Sequence, residues 1–143
     1  MSLTNEQIIH FKTHGYTAVP DFFTRREIQA LQAEVERFKR DGLGRNVATD
    51  GDGATHSTTK VNLQVIPLYD KSDLIRALPF EQKVTAAVAQ LIGDPFLLHL
   101  DQLFLKPPGH GLGTDWHQDN AYFKIADPLK GTAMWIAIHD ATI

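Results

Sequence analysis

Hydrophobic periodicity changes character along this chain: apolar residues recur mostly at helical spacing up to Ile92 and mostly as strand patterns beyond it. A helix buries positions three and four apart, whereas a strand buries every second position, so one stretch does not serve as both. Thr4 and Gln7 have capping-box spacing, and the helix they open is expected to stop at Gly15. Thr24 and Glu27 repeat the signal, with Ile28, Leu31, Val35 and Phe38 following on one face up to Gly42. Polar residues over 45–59, with Asp50-Gly51-Asp52-Gly53, read as a mobile loop. Residues 60–66 alternate as a strand, a short helix is expected near 72–78, and a longer one over 80–92 turns Val84, Ala87, Val88 and Leu91 inward before Gly93. Strands near 96–105, 115–122 and 132–140 complete the pattern. With no internal repeat and no linker, residues 1–143 read as part of a single α+β domain.

Charge and composition narrow the function classes. A net charge of −3 and a pI near 6.1 argue against nucleic acid or an anionic membrane as the main partner. The absence of cysteine excludes disulfides, thiolate metal sites and cysteine nucleophiles. No apolar run approaches the roughly 20 residues that span a bilayer, and Met1-Ser2-Leu3-Thr4-Asn5 lacks a signal-peptide pattern. A cytoplasmic, reducing setting is the expectation.

The chemistry-bearing stretch is Trp116-His117-Gln118-Asp119. On a strand, side chains at i and i+2 share a face, so His117 and Asp119 can offer one nitrogen and one oxygen to a single metal ion. A second His would complete a 2-His-1-carboxylate facial triad, the set that leaves iron(II) open positions for a co-substrate and dioxygen. A second copy of the pattern, His99-Leu100-Asp101, lies in the apolar run Phe96-Leu97-Leu98-His99-Leu100-Asp101-Gln102-Leu103-Phe104-Leu105 and reads instead as a hydrogen-bonded pair on a buried strand. His117 and Asp119 come after the flexible Lys106-Pro107-Pro108-Gly109-His110-Gly111-Leu112-Gly113 and precede Asn120-Ala121-Tyr122-Phe123, a setting that suits a pocket mouth. Gln102, beside the metal-bearing strand, either orients substrate or co-substrate or is a satisfied buried amide. Tyr122 and Phe123 either wall a substrate pocket or pack in the core.

Three runs together resemble the phytanoyl-CoA dioxygenase family: Gln102-Leu103-Phe104-Leu105-Lys106-Pro107-Pro108-Gly109, Trp116-His117-Gln118-Asp119-Asn120-Ala121-Tyr122-Phe123 and Met134-Trp135-Ile136-Ala137-Ile138-His139-Asp140-Ala141. The amino terminus is similar too, in Thr4-Asn5-Glu6-Gln7, Gly15-Tyr16-Thr17-Ala18-Val19-Pro20 and Phe22-Phe23-Thr24. The resemblance implies a mainly β domain with amino-terminal helices, its core a double-stranded β-helix (jelly roll, cupin-like). It also implies an oxidoreductase using Fe(II), with 2-oxoglutarate and dioxygen as co-substrates, that oxidises a small organic molecule or acyl thioester. His117 and Asp119 take the metal-ligand positions, and Lys60 matches a family position that contacts 2-oxoglutarate. An ammonium is a sensible partner for a dicarboxylate, although an exposed strand-end lysine is the plain alternative. Trp135 matches a pocket-lining tryptophan and also suits core packing. The presence of Asp119, which related halogenases replace by a small residue, favours hydroxylation over halogenation.

The family takes its remaining histidine ligand and a 2-oxoglutarate-binding arginine from later strands, and no candidate for either lies downstream of His139. The chain therefore reads as the amino-terminal portion of such a domain, expected to be inactive alone and to self-associate through open sheet edges. Two other classes fit the residues: a non-redox cupin-like enzyme holding zinc, and a non-catalytic remnant acting as an interaction module.

Overall fold

A computed structural model describes residues 2–111, 113–114, 117–127 and 130–140 of the chain. Trp116 and Ala141 of the sequence motifs lie outside the described residues.

Local signals set the helices. Helix α1, Asn5–His14, begins with the expected box: the Thr4 amide donates to Gln7 Oε1 at 2.9 Å and the Gln7 amide to Thr4 Oγ1 at 3.2 Å. It ends at Gly15, whose φ of 81° is a left-handed closure that glycine adopts without a Cβ clash. Helix α2, Arg25–Arg40, opens with the same reciprocal box between Thr24 and Glu27 and buries Leu31, Val35 and Phe38. Asp73–Ala77 (α3), capped by Ser72, runs into a 3₁₀ turn over Leu78–Phe80, and α4, Gln82–Ile92, stops at Gly93.

Three short strands form one antiparallel sheet in the order β1 (Arg45–Asn46), β2 (Leu63–Val65), β3 (Leu103–Leu105). Leu63 lies opposite Leu105 and Val65 opposite Leu103, so alternation puts these four on one face and Gln64 and Phe104 on the other. The apolar face meets α2: Leu31, Phe38, Val65, Leu68 and Ile75 form one buried cluster, with Leu103 and Ile138 packed against it. A second cluster joins Leu3, Phe22, Val84 and Ala87. Lys83 links the two regions, donating from Nζ to Glu27 Oε1 at 2.6 Å and to the Phe22 carbonyl at 3.3 Å, with its ammonium 4.4 Å from the Phe23 ring centre.

The β content is smaller than the sequence pattern predicts. Among the described residues helix outweighs strand, and the strands make one small sheet rather than the two facing sheets of a jelly roll. Of the strands expected over 60–66 and 96–105, only the paired centres Leu63–Val65 and Leu103–Leu105 qualify. None is formed over the described parts of 115–122 and 132–140, and the first of these carries a helical turn, α5, Asn120–Phe123. An alternating sequence becomes a strand only where a neighbour supplies hydrogen bonds, and that neighbour is distant in sequence. The expected mobile loop over 45–59 is likewise a built turn. Thr49 bridges His56, and Asp52 Oδ1 accepts from the amides of Ala54 and Thr55 at 2.9 and 2.8 Å. No helix among the described residues is long and apolar enough to cross a membrane.

The Glu27–Lys83 link carries a pH signature. The Lys83 ammonium first, then the Thr24 amide and hydroxyl, hold the Glu27 carboxyl down at about 2, from an ordinary 4.5. A carboxyl depressed in the folded state stabilises it fully above the unfolded value and loses that contribution as pH falls through the folded one. Acid unfolding should therefore steepen between about pH 4.5 and 2, and Lys83→Met should flatten that limb. Urea midpoints measured across this range check the expectation.

Candidate functional site

The segment carrying the His-x-Asp pair is anchored at both ends. At its start the Gly111 amide donates to the Pro107 carbonyl at 2.9 Å and the Val61 amide to the His110 carbonyl at 2.9 Å. A Cβ at Gly111 would stand 2.9 Å from the Pro107 oxygen, so the close turn needs glycine. This pins the glycine loop onto the segment that leads from Lys60 into β2. Lys106 Nζ donates to Thr114 Oγ1 at 2.9 Å within the same loop.

At its far end the segment turns into α5. The amides of Tyr122 and Phe123 donate to the Asp119 carbonyl at 2.9 and 3.0 Å. Lys124 closes the turn with φ 52°, and Asn120 clasps Ile125 just beyond it: Asn120 Oδ1 accepts from the Ile125 amide at 2.6 Å and Nδ2 donates to the Ile125 carbonyl at 3.3 Å. Strand alternation is thus not what joins the two side chains. Asp119 has helical angles, φ −54° and ψ −33°, and the bend between His117 and Asp119 brings His117 Nε2 to 3.2 Å from Asp119 Oδ1. Both side chains remain about half exposed, at 44% and 53%.

Beside this pair lies a cavity of about 910 Å³, walled by the 15–23 segment, Ala87, Val88 and Leu91 of α4, Asp119 just before α5, Phe123 of α5, and residues 131–137 with Trp135. Gln32 Nε2 on α2 donates to the Ile138 carbonyl at 2.8 Å, which fixes the end of that last wall. Asp119, Phe123 and Trp135 are therefore brought together at one apolar hollow. Phe123 meets the edge of the His99 ring at 5.2 Å between centres, and Tyr122 stands exposed on α5.

The other residues singled out from sequence belong to the sheet. Gln102 is exposed, and Gln64 Nε2 donates to its Oε1 at 2.8 Å across the solvent face of β2 and β3. Lys60 is exposed; its amide donates to Ser57 Oγ at 3.1 Å and its carbonyl accepts from Asn46 Nδ2 at 3.0 Å. In the second His-x-Asp copy, Asp101 Oδ1 accepts from the Leu68 amide at 3.1 Å, a structural bond, whereas His99 is exposed rather than on a buried strand. Among the described residues no third His, Asp or Glu joins His117 and Asp119 to form a metal cage. Sequence reasoning passed over Asn120, Gln64 and Gln32, whose amides do the positioning. An Asn at the start of a short helix was the one available signal.

Comparison with known proteins adds lineage. Residues 11–143 match the family described as phytanoyl-CoA dioxygenase (PhyH). The chain is similar to an ectoine dioxygenase of Stutzerimonas stutzeri (strain A1501), 23% identical over 128 residues that cover 87% of this chain and 40% of that protein. It is also similar to a probable alpha-ketoglutarate-dependent hypophosphite dioxygenase of Stutzerimonas stutzeri, 27% identical over 82% of this chain and 42% of the relative. Phytanoyl-CoA dioxygenase 1 of Oryza sativa subsp. japonica is 24% identical over 99% of this chain and 61% of its own length. The chain thus spans about 40% of the first two relatives. No solved structure matches it significantly.

The Asn120 clasp is testable by itself. Asn120→Ala removes both bonds to Ile125, and a net hydrogen bond is worth about 0.5–1.5 kcal/mol. Amide exchange at Ile125 should accelerate roughly two- to tenfold, while Val35 and Phe38 in the core keep their protection.

Proposed function

The chain belongs to the phytanoyl-CoA dioxygenase family, and from that premise we propose that the protein carrying it is an Fe(II)- and 2-oxoglutarate-dependent dioxygenase in which His117 and Asp119 are two of the metal ligands. One observation carries this reading: the 3.2 Å approach of His117 Nε2 to Asp119 Oδ1, with Asp119 also lining an apolar cavity. One imidazole nitrogen and one carboxylate oxygen converging at an accessible point are a donor set suited to iron(II). Bound there, iron would supply the activation of dioxygen that couples decarboxylation of 2-oxoglutarate to oxidation of the substrate.

The chain's own groups divide the remaining work. Asp119 brings negative charge that offsets the cation, and its presence suits hydroxylation rather than halogenation. Lys60 offers an ammonium for a carboxylate of 2-oxoglutarate, and Gln102, held by Gln64, orients the co-substrate or substrate. Phe123 and Trp135 form apolar wall, and Tyr122, exposed on α5 outside that lining, is proposed to meet the substrate from solvent, so the substrate is a small organic molecule or an acyl thioester with an apolar part. In this reading the three-stranded sheet is one piece of a jelly-roll domain, and the setting is a reducing cytoplasm that keeps iron ferrous.

The decisive comparison sets the two His-x-Asp copies against each other in the protein that carries these residues. Asp119→Ala should abolish iron-dependent loss of 2-oxoglutarate and weaken iron binding. Asp101→Ala, which removes only the bond to the Leu68 amide, should keep turnover and cost about 1 kcal/mol of stability. Equal loss of turnover from both changes, or wild-type turnover with Asp119→Ala, overturns the assignment. Lys60→Ala should raise the Michaelis constant for 2-oxoglutarate about ten- to a hundredfold and that for the substrate far less. That is the range expected from losing a charge-assisted contact of about 1.5–3 kcal/mol. An unchanged 2-oxoglutarate dependence returns Lys60 to the solvated surface.

A further inference from the structure

One wall of the cavity beside Asp119 is built differently from the others. Ala87, Val88 and Leu91 stand on one face of α4, a regular helix of 11 residues. Ala87 is buried in the cluster with Leu3, Phe22 and Val84, and Leu91 packs against that cluster. A helix backed by a packed core does not move aside without opening voids. The 15–23 segment and residues 131–137, which supply most of the remaining lining, carry neither helix nor strand. The side chains of α4 are therefore the fixed limit on what the cavity can hold, and Val88 and Leu91, only partly buried, are the ones that reach its surface.

The charge of the lining is as restrictive as its shape. Among the described residues that line the cavity there is no Lys, Arg or His, and its two charged residues, Asp21 and Asp119, are both acidic. A carboxylate or phosphate that entered would leave water and meet no basic side chain, which is unfavourable. Lys60, the cation offered to 2-oxoglutarate, is not part of this lining. We propose that the cavity takes the uncharged hydrocarbon part of the substrate, and that Val88 and Leu91 set the chain length it accepts. Anionic groups of the substrate, and 2-oxoglutarate itself, stay outside. At about 910 Å³ the space lies near the upper end of the roughly 300–1,000 Å³ of small-molecule sites, so it admits a chain of several carbons. The proposal rests on the reading of Asp119 as an iron ligand, since that is what puts the hydrocarbon beside the reacting centre.

Methyl-resolved NMR of the full chain, without metal, tests this with 1-hexanol, 1-decanol and 2-oxoglutarate as probes. Both alcohols should shift the Ala87, Val88 and Leu91 methyl resonances saturably, and 2-oxoglutarate should leave them unmoved. Val88→Phe should weaken 1-decanol by about tenfold or more and 1-hexanol far less, because the added ring shortens the space. Val88→Ala should bind 1-decanol at least as well as the unmodified chain. Circular dichroism checks the helix content of both variants, and the shifts in the unmodified chain need no variant. The proposal is overturned if 1-decanol shifts the exposed Leu97 and Leu98 but not α4, if Val88→Phe binds both alcohols unchanged, or if 2-oxoglutarate moves the α4 methyls. The two readings fail separately. Alcohols that bind here while Asp119→Ala keeps 2-oxoglutarate turnover refute the iron assignment, whereas alcohols that do not bind while Asp119→Ala abolishes turnover refute this proposal alone.

Discussion

Burial of the Leu31–Val35–Phe38 stripe of α2 is the constraint on which the remaining arrangement depends. Val35 and Phe38 are fully buried and Leu31 nearly so, and the surface they remove from water is the main driving force available to a chain without disulfides. The stripe sets where the sheet can lie, because Val65 and Leu103 must reach it, and it draws Ile138 in from the far end of the described chain. Once α2 is fixed, its other groups act at defined places. Glu27 receives Lys83 from α4, Ile28 faces the cavity, and Gln32 holds the Ile138 carbonyl. A single amphipathic helix therefore locates both the core and two walls of the hollow beside Asp119.

How much was legible in the sequence depends on how local each signal is. Thr4–Gln7 and Thr24–Glu27 are boxes closed within four residues, and both form as expected, as does the Gly15 stop. Local hydrogen bonds of this kind depend little on the rest of the chain. Strands depend on it wholly. The run 96–105 has strand composition throughout, yet only Leu103–Leu105 finds a partner in β2, and Leu97, at 80% exposure, finds none among the described residues. Its apolar side chains advertise a sheet that pairing has not built here, so composition overstated the β content.

The candidate site shows the same division. That His117 and Asp119 meet was legible, but for a different reason from the one that operates. Alternation on a strand would place them side by side at about two residues' rise, whereas here a turn into α5 folds the carboxylate back toward the imidazole. The groups that hold this turn, Asn120 with its two bonds to Ile125 and Gly111 with its crowded approach to Pro107, carry no chemistry of their own. A search for reactive residues passes over them, since amides and glycines signal position rather than reaction.

Asp119 itself is turned away from the helix that it precedes. An aspartate directly before a helix ordinarily takes extended angles and accepts a hydrogen bond from the second or third helical amide, an interaction worth about 1 kcal/mol. At φ −54° and ψ −33° Asp119 is already helical, and its carboxylate makes no such cap. The oxygens that would have stabilised α5 instead face His117, leaving a four-residue helix held by the Asn120 clasp and by the packing of Phe123 against His99. A carboxylate placed to cap the helix would be turned the other way, so α5 takes from Asp119 only its backbone carbonyl, which accepts from the Tyr122 and Phe123 amides.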